Sequence, residues 1–338
     1  MNAIFRRCAA VLAGTVTACL LASLANAQPY TMKISFVTIN DVTHEFLKRW
    51  KAGIDARSGG RLKVEIYPAN QLGQIPAVIE GVALGTIEIG SAASGFFVSL
   101  EPRFQVMDGI GMFDDIQHAY RVFTDPEIRA RLATWGADKG IEMIVPGTYG
   151  PMMLLAHKAV RGVADFQGQK IRTPGGAAIQ VEPFKKLGVL PVSMPLGEVL
   201  PAMQNRTIDG LMTALAVYVN FKYYDIAKPV TYLPETFIFA PLVANREFLK
   251  TIGPELAAIV REEAVKAQTA YTDWNIADTK RVEEAWRKAG GELIALPPAE
   301  AKRYVDTTAP VTQQILSSNP KIKEDYDALL AAAKKHRR

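Results

Sequence analysis

Cysteine is nearly absent from this sequence. The 338 residues contain two, Cys8 and Cys19, and both lie within the first 27 residues. The rest of the chain can form no disulfide, so packing alone must stabilise it even in an oxidising compartment. Histidine is also scarce, with four residues. None of the four has a partner at the spacing that zinc sites use, which argues against a zinc enzyme.

Long apolar runs are absent too, except at the N-terminus. Arg6 and Arg7 precede an apolar stretch over residues 8–24, and residues 25–27 (Ala-Asn-Ala) provide the small side chains of a cleavage site. This pattern is typical of a secretory signal peptide cleaved after Ala27. The alternative is a lipoprotein signal with Cys19 as the acylated residue. No later run is long enough to cross a bilayer.

The charge of the chain has no strong sign. Its 39 lysines and arginines stand against 34 aspartates and glutamates, a formal net charge of +5. A surplus this small favours neither nucleic acid nor an anionic membrane as a partner. The basic residues that end the chain, 333–338, are predicted to form a frayed tail.

A catalytic constellation is not evident. The stretch GSAASG at residues 90–95 lacks the spacing of a nucleophile elbow and the lysine of a phosphate loop. Asp114 and Asp115 form an acidic pair, which at a turn is usually solvated. No nucleophile, base and orienting group stand out together. The sequence therefore predicts a protein that is not an enzyme and that carries no cofactor.

The patterns that are present indicate an α/β fold. Strand-like alternation at residues 32–36 and 62–66 flanks a stretch whose apolar residues recur at helical spacing. A helix beginning at Pro76 and a strand at residues 86–89 follow. Such a series is typical of a mostly parallel sheet covered by helices. Because the pattern returns between residues 142 and 211, the sequence predicts a second α/β domain.

The C-terminal third contains a long helical pattern. No proline or glycine interrupts the chain between Pro254 and Gly290, and apolar residues recur at helical spacing throughout. A single helix of this length would extend about 50 Å, because each residue adds about 1.5 Å. The pattern leaves two alternatives open, which are one helix that braces both domains and two helices with a kink near Asp273.

Arg172 lies where a short strand ends. Residues 168–180 read GQKIRTPGGAAIQ, in which Pro174 stops the strand and two glycines precede a helix. Ligands of α/β sheets bind at such strand ends, and a guanidinium matches the two oxygens of a carboxylate. The alternative is a structural ion pair between Arg172 and Glu182 or Asp209.

Four motifs then carry a family resemblance. They are SGGRLKVEIYPANQLG at 58–73, DFQGQKIRTP at 165–174, IDG at 208–210 and FKYYDIAK at 221–228. In order and spacing they resemble the solute-binding proteins of tripartite ATP-independent periplasmic (TRAP) transporters. The resemblance implies a two-domain, periplasmic-binding-protein-like α/β fold with a central ligand cleft and a long helix that crosses both domains.

The function implied by the resemblance is that of a periplasmic receptor. Such a receptor closes around a small organic acid and delivers it to the integral membrane permease subunits of the transporter. A hinge is expected where the chain crosses between domains, near 148–151 and near 233–239. The expected division is residues 28–149 with about 237–275 in domain I, and 150–236 with about 276–332 in domain II.

The site residues also follow from the resemblance. In this family the arginine at the position of Arg172 grips the substrate carboxylate. Members that bind sialic acid carry polar or aromatic side chains at four positions that are here Met152, Thr213, Ala93 and Leu196. A ligand with many hydroxyl groups would bury those hydroxyls here without hydrogen-bond partners. Each buried unpaired group would cost about 1–3 kcal/mol of binding free energy.

These four differences from the members that bind sialic acid favour a monocarboxylate with an apolar or aromatic body as the ligand. Tyr149, Phe96 and Phe97 are expected to join the apolar walls, although Met152 and the phenylalanines could equally be ordinary core. A periplasmic sensor and a secreted α/β enzyme are the alternative functions. An aromatic acid, a 2-oxo acid and a dicarboxylate all remain open as ligand, and so do a bridging metal ion and the oligomeric state.

Overall fold

Two β-sheets organise the chain. The computed structural model describes residues 28–270 and 272–337, so the predicted signal peptide, its cleavage site and the alternative at Cys19 lie outside the described residues. The five strands of the first sheet are β1 Tyr30–Phe36, β2 Leu62–Tyr67, β3 Ile89–Ser91, β4 Ile141–Val145 and β10 Leu242–Asn245. Their order is β2-β1-β3-β10-β4, parallel from β2 to β3 and antiparallel at β10.

The second sheet has six strands in the order β11-β9-β5-β8-β6-β7. These strands are β5 Thr148–Ala156, β6 Lys170–Thr173, β7 Leu190–Ser193, β8 Gly210–Thr213, β9 Pro229–Phe239 and β11 Glu292–Ile294. β6 runs parallel to both β7 and β8, so these strands end at the same edge of the sheet. We call the first sheet, with the helices packed on it, the first half. The second sheet, with its helices, is the second half.

Helices cover both sheets. The first seven are α1 Val42–Ser58, α2 Ile75–Leu84, α3 Ile116–Thr124, α4 Pro126–Leu132, α5 Ala178–Lys186, α6 Leu196–Gln204 and α7 Leu215–Asn220. The last five are α8 Arg246–Thr251, α9 Gly253–Ala270, α10 Thr272–Lys288, α11 Pro298–Ser317 and α12 Pro320–His336. None of the described helices is long and apolar enough to cross a membrane.

The predicted long helix corresponds to α9 and α10. α9 packs against α1 and β4 of the first half, and α10 packs against α7 and β11 of the second half. Position 271 lies between the two helices and outside the described residues. The helical stretch thus runs over both halves, as the predicted fold requires.

Helix α1 shows how local sequence sets this architecture. Its N-cap is Asp41, whose carboxylate accepts a hydrogen bond from the His44 backbone nitrogen at 3.0 Å. Trp50 is fully buried on the inner face of the helix and donates to the Val260 carbonyl of α9 at 2.8 Å. Gly59 ends the helix in the left-handed conformation, which glycine adopts readily.

The strand predicted at residues 86–89 lies three residues later, at β3. Thr86 and Ile87 donate their backbone N–H groups to the Gly81 carbonyl at 2.9 and 3.2 Å, and so close the end of α2. Residues engaged in this way cannot join the sheet ladder. The sheet therefore begins only at Ile89.

The end of the chain differs from its prediction. The residues predicted as a frayed tail continue α12 as far as His336, and Lys335 and His336 both reach Asp125, at 2.8 and 2.9 Å. The predicted division placed residues up to 332 in domain II, whereas α12 packs against α3 and α4 of the first half. The predicted tail thus helps to hold α12 in place.

Replacing Asp125 with alanine should therefore lower the free energy of unfolding by about 1–3 kcal/mol at pH 7. Asp125 is buried, caps α4 by accepting from the Glu127 nitrogen, and has its pKa lowered by the hydrogen bonds from Lys335 and His336. A lowered carboxyl pKa stabilises the fold above the unfolded value near 3.8, and this stability is lost as the pH falls below it. Urea unfolding from pH 7 to pH 3 should show that the difference in unfolding free energy between the wild type and the variant becomes smaller below pH 4. A difference that does not change with pH would contradict a stabilising role for the Asp125 charge.

Candidate functional site

A cavity that opens to solvent lies between the two halves. Strand ends build it from both sides: residues 36–38 after β1, 91–93 at the end of β3, Arg172 and Pro174 at β6, and Thr213 at β8. Ends of parallel strands leave backbone and side chains free to face a ligand, which is why sites collect there. The wall is completed by Thr43, Ile75, Phe96, Tyr149, Leu196, Val217, Ile238 and Ala240.

The structure brings six of the eight predicted site residues together in this cavity. They are Arg172, Thr213, Tyr149, Leu196, Ala93 and Phe96. Met152 and Phe97 do not line it. Met152 is 5% exposed and belongs to a hydrophobic core that includes residues of both sheets, and Phe97 is buried and stacks on Phe104 at 5.0 Å. The structure places both residues in core packing, the alternative considered for them, and not in the cavity wall.

Arg172 is the only charged side chain in the cavity wall described here. It is 2% exposed, donating through Nε to the Met194 carbonyl at 3.0 Å and through Nη1 to the Met212 carbonyl at 3.3 Å. These two carbonyls fix the side chain without neutralising it. A guanidinium has five N–H donors, so the other donors remain available to a ligand.

Arg172 has no acidic partner among the described residues. Glu182 pairs instead with Lys185 at 2.8 Å, and Asp209 accepts from the Lys170 backbone nitrogen at 2.8 Å. The structural ion pair considered for Arg172 is therefore not formed. Burial lowers the pKa of Arg172 to about 10, since taking the cation out of water disfavours its charge.

The Phe96 ring lies over this cation. Its centroid is 5.9 Å from the Arg172 guanidinium carbon, within the range of a cation–π contact. Phe96 comes from the first half and Arg172 from the second. The contact therefore spans the cavity and gives the charge partial compensation without an anion.

Tyr149 contributes a hydroxyl that is already occupied. It donates to Asp41 at 2.5 Å, and burial first, followed by the nearby Asp41 charge, raises the pKa of Tyr149 well above its ordinary value. Tyr149 is the second residue of β5 in the second sheet, while Asp41 caps α1 in the first half. The hydrogen bond thus ties the halves together beside the cavity, where Tyr149 presents its ring to the interior.

Sequence reasoning missed several wall residues, among them the hydroxyl side chains Thr38, Thr43 and Ser91. Ser91 donates to the Ala240 carbonyl at 3.1 Å. Thr38 and Ser91 stand at the ends of adjacent parallel strands, so the edge rule that identified Arg172 could also have identified them. Thr43 lies one residue into α1, which no motif indicated.

Comparison with known proteins gives a consistent result. Residues 35–319 match the model of the bacterial extracellular solute-binding proteins, family 7 (DctP). The 2,3-diketo-L-gulonate-binding periplasmic protein YiaO of Escherichia coli is 26% identical over 255 residues, 75% of this chain and 77% of the relative.

Solved structures show the same fold. A TRAP periplasmic solute-binding protein of Desulfovibrio salexigens with bound orotic acid superposes with a TM-score of 0.85 at 20% identity, covering 91% of this chain and all of that one. A TRAP periplasmic solute-binding protein of Shewanella oneidensis with bound succinate gives a TM-score of 0.83 at 21% identity, covering 90% of this chain and all of that one. The predicted two-domain binding-protein fold is confirmed.

Proposed function

The chain belongs to family 7 of the bacterial extracellular solute-binding proteins, which are transport receptors and not enzymes, and we propose that it captures a monocarboxylate with an apolar or aromatic body. The observation that carries this proposal is Arg172, a buried cation without an acidic partner in the described chain. A buried charge is costly unless it is paired. A ligand carboxylate would supply the missing partner.

The chemistry of the walls favours an apolar ligand body. Besides Arg172, the wall has few polar side chains, and two of these, Ser91 and Tyr149, already donate to protein oxygens. The apolar side chains are Phe36, Val37, Ile75, Ala92, Ala93, Phe96, Pro174, Leu196, Val217, Ile238 and Ala240. A sugar acid would bury hydroxyls against these walls, whereas an aromatic or branched acid would bury hydrocarbon.

Organic acids are also named for related receptors. 2,3-diketo-L-gulonate, orotic acid and succinate are named for the three relatives above, and each carries a carboxylate. This shared carboxylate is the group that the buried Arg172 of this chain would bind. We further propose that the receptor closes on its ligand and passes it to the membrane permease subunits of a TRAP transporter.

A thermal-shift screen tests the ligand class directly. Benzoate, cinnamate and 2-oxoisovalerate should raise the melting temperature, because a ligand at a hundred times its Kd adds about 2.7 kcal/mol of stability. D-galacturonate and L-gulonate serve as matched acids with hydroxylated bodies and should give no shift at equal concentration. A shift confined to the two sugar acids would contradict the proposal.

A further inference from the structure

The hydroxyl of Tyr218 lies between two strands of the second sheet. Tyr218 is fully buried on α7, and its hydroxyl oxygen accepts hydrogen bonds from the backbone nitrogens of Leu155, at 3.2 Å, and Thr213, at 3.1 Å. Its one proton is donated towards the carbonyl oxygens of Met153, at 2.9 Å, and Leu211, at 2.7 Å. A phenol has one donor and can accept twice, so backbone groups alone satisfy this hydroxyl.

The four backbone groups belong to one antiparallel pair of strands. Met153 on β5 pairs with Thr213 on β8, and Leu155 on β5 pairs with Leu211 on β8. Each strand thus gives one N–H donor and one carbonyl acceptor to the same hydroxyl. The Tyr218 hydroxyl therefore holds β5 and β8 together at this point and fixes their register.

The cavity end of β8 depends on this hydroxyl more than the rest of the strand does. In the described second sheet, β6 pairs with β8 only at Gly210 and Leu211. The last two residues of β8, Met212 and Thr213, extend beyond that pairing and are paired with β5 alone. A strand end with one neighbour is less constrained than one with two, so the bond from the Thr213 nitrogen to Tyr218 adds a restraint where the sheet supplies few.

Both residues at this end of β8 belong to the ligand site. Thr213 lines the cavity, and the Met212 carbonyl accepts from Arg172 Nη1 at 3.3 Å. N–H···O bonds normally span about 2.7–3.2 Å, so even a small displacement of the Met212 carbonyl would break this contact. Arg172 would then keep one hydrogen bond, from Nε to the Met194 carbonyl at 3.0 Å.

The Tyr218 ring is held in place from behind. Its centroid lies 5.9 Å from that of Tyr223 and 6.0 Å from that of Trp286, and both of these side chains are buried. Burial raises the pKa of Tyr218 well above its ordinary value, so the hydroxyl keeps its donor proton at neutral pH. Tyr218 is not one of the residues described as lining the cavity. Any effect of its hydroxyl on a ligand must therefore pass through β8.

We propose that Tyr218 is a positioning residue of the ligand site: its hydroxyl fixes the cavity end of β8, and through the Met212 carbonyl it fixes the direction of the Arg172 guanidinium. The inference rests on the proposed function, because it assigns the group that orients the carboxylate-binding arginine before a ligand arrives. A guanidinium ordered in advance loses less freedom when the ligand binds, which strengthens binding.

Tyr218→Phe tests the proposal, because it removes the hydroxyl and keeps the ring. In the ligand-free receptor labelled with nitrogen-15, the NMR order parameter of the Arg172 Nε–H group should fall by about 0.2 or more, from the range of rigid groups towards that of flexible ones. The Arg172→Ala variant lacks this signal and so identifies it. Isothermal titration with an acid from the thermal-shift screen should give a Kd about tenfold higher in Tyr218→Phe, as expected for one lost hydrogen bond.

Tyr304→Phe is the matched control. Tyr304 is also fully buried, on α11, and its hydroxyl is hydrogen-bonded to the Thr236 hydroxyl at 3.0 Å. Neither Tyr304 nor Thr236 is described as lining the cavity. This variant should lower the melting temperature, since it also loses a buried hydrogen bond, but it should leave the Arg172 order parameter unchanged and the Kd within two-fold of wild type.

Three results would overturn the positioning role. The first is an Arg172 order parameter in Tyr218→Phe equal to that of the wild type, and the second is an equal fall in Tyr304→Phe, which would indicate general loosening. The third is an unchanged Kd in a Tyr218→Phe receptor whose arginine has become mobile. Because the order parameter is measured without ligand, it decides on Tyr218 even if the thermal-shift screen finds no monocarboxylate, so the two proposals can fail separately.

Discussion

Replacing Arg172 with alanine is expected to weaken monocarboxylate binding by about thirty-fold or more. The guanidinium is buried and has no acidic partner in the described chain, so the ligand carboxylate loses its main electrostatic contact. Truncating one member of a buried charged pair costs about 2–5 kcal/mol, and each 1.4 kcal/mol is a factor of ten in Kd. Isothermal titration with an acid identified by the thermal-shift screen measures the loss.

The same substitution should leave the empty receptor folded and no less stable. Removing a buried cation that lacks a counter-ion relieves a desolvation cost, which offsets the lost packing. Arg172→Lys should recover only part of the affinity, because an ammonium lacks the planar fork that matches a carboxylate. An Arg172→Ala receptor that bound within three-fold of wild type would show that the arginine is structural.

Arg103→Ala is the matched control, since Arg103 is also a buried arginine but is paired within the protein. It donates to both oxygens of Glu101, at 3.0 and 2.8 Å. Burial alone would raise the pKa of Glu101, but the hydrogen bonds from Arg103 lower it to about 2. Losing Arg103 should destabilise the fold by about 3–5 kcal/mol and leave the Kd of the remaining folded receptor unchanged.

Gly147→Ala is expected to damage the connection between the halves, lowering the free energy of unfolding by about 3–5 kcal/mol. Gly147 has φ +61° and directly precedes β5, where the chain crosses from the first half to the second. A Cβ there would stand 1.9 Å from the Ala240 carbonyl oxygen. That clash is with backbone, and it would break the 2.7 Å hydrogen bond from the Ala240 nitrogen to the Gly147 carbonyl.

Gly168→Ala separates the clash from the backbone conformation. Gly168 has φ +75°, also left-handed, but its Cβ would meet nothing within 4 Å. Gly168→Ala should lower the free energy of unfolding by about 1–2 kcal/mol, which is the ordinary strain of an alanine in the left-handed conformation. Chemical denaturation of both variants makes the comparison. Equal losses of unfolding free energy in the two variants would mean that the close approach of Ala240 is not the reason why position 147 requires glycine.

Two paired strands, β5 and β9, lie where the hinge is predicted. β5 and β9 pair antiparallel from Thr148↔Phe239 to Pro151↔Phe237, and then the register shifts to Met153↔Tyr232. Both predicted crossings, near 148–151 and near 233–239, fall on this pair of strands. Closure about this pair stays a prediction, and a smaller radius of gyration on ligand binding is its expected sign.

Sequence patterns predicted the parts of the fold that depend on local periodicity. Alternation in residues 32–36 and 62–66 predicted two strands that the structure contains, because one-sided burial leaves a clear mark on sequence. The edge rule predicts Arg172 as a site residue, and the structure places Arg172 near the end of β6 in the cavity wall. These features follow from short stretches of chain.

Contacts between distant segments were beyond the sequence. The sequence predicts Met152 and Phe97 as wall residues but leaves core packing open, since a buried apolar side chain gives no sign of whether it faces a cavity or a core. The ties of Lys335 and His336 to Asp125 join positions more than 200 residues apart. The contacts of Gln180 could likewise not be predicted, because they involve two glycines and an aspartate from other segments.

The most direct measurement of the central claim is a crystal structure of the receptor with an acid selected by the thermal-shift screen. Our account predicts the ligand carboxylate within hydrogen-bond distance of the Arg172 guanidinium, with its apolar body against Phe96 and Leu196. A ligand carboxylate held elsewhere in the protein, with Arg172 still bonded only to the Met194 and Met212 carbonyls, would contradict it.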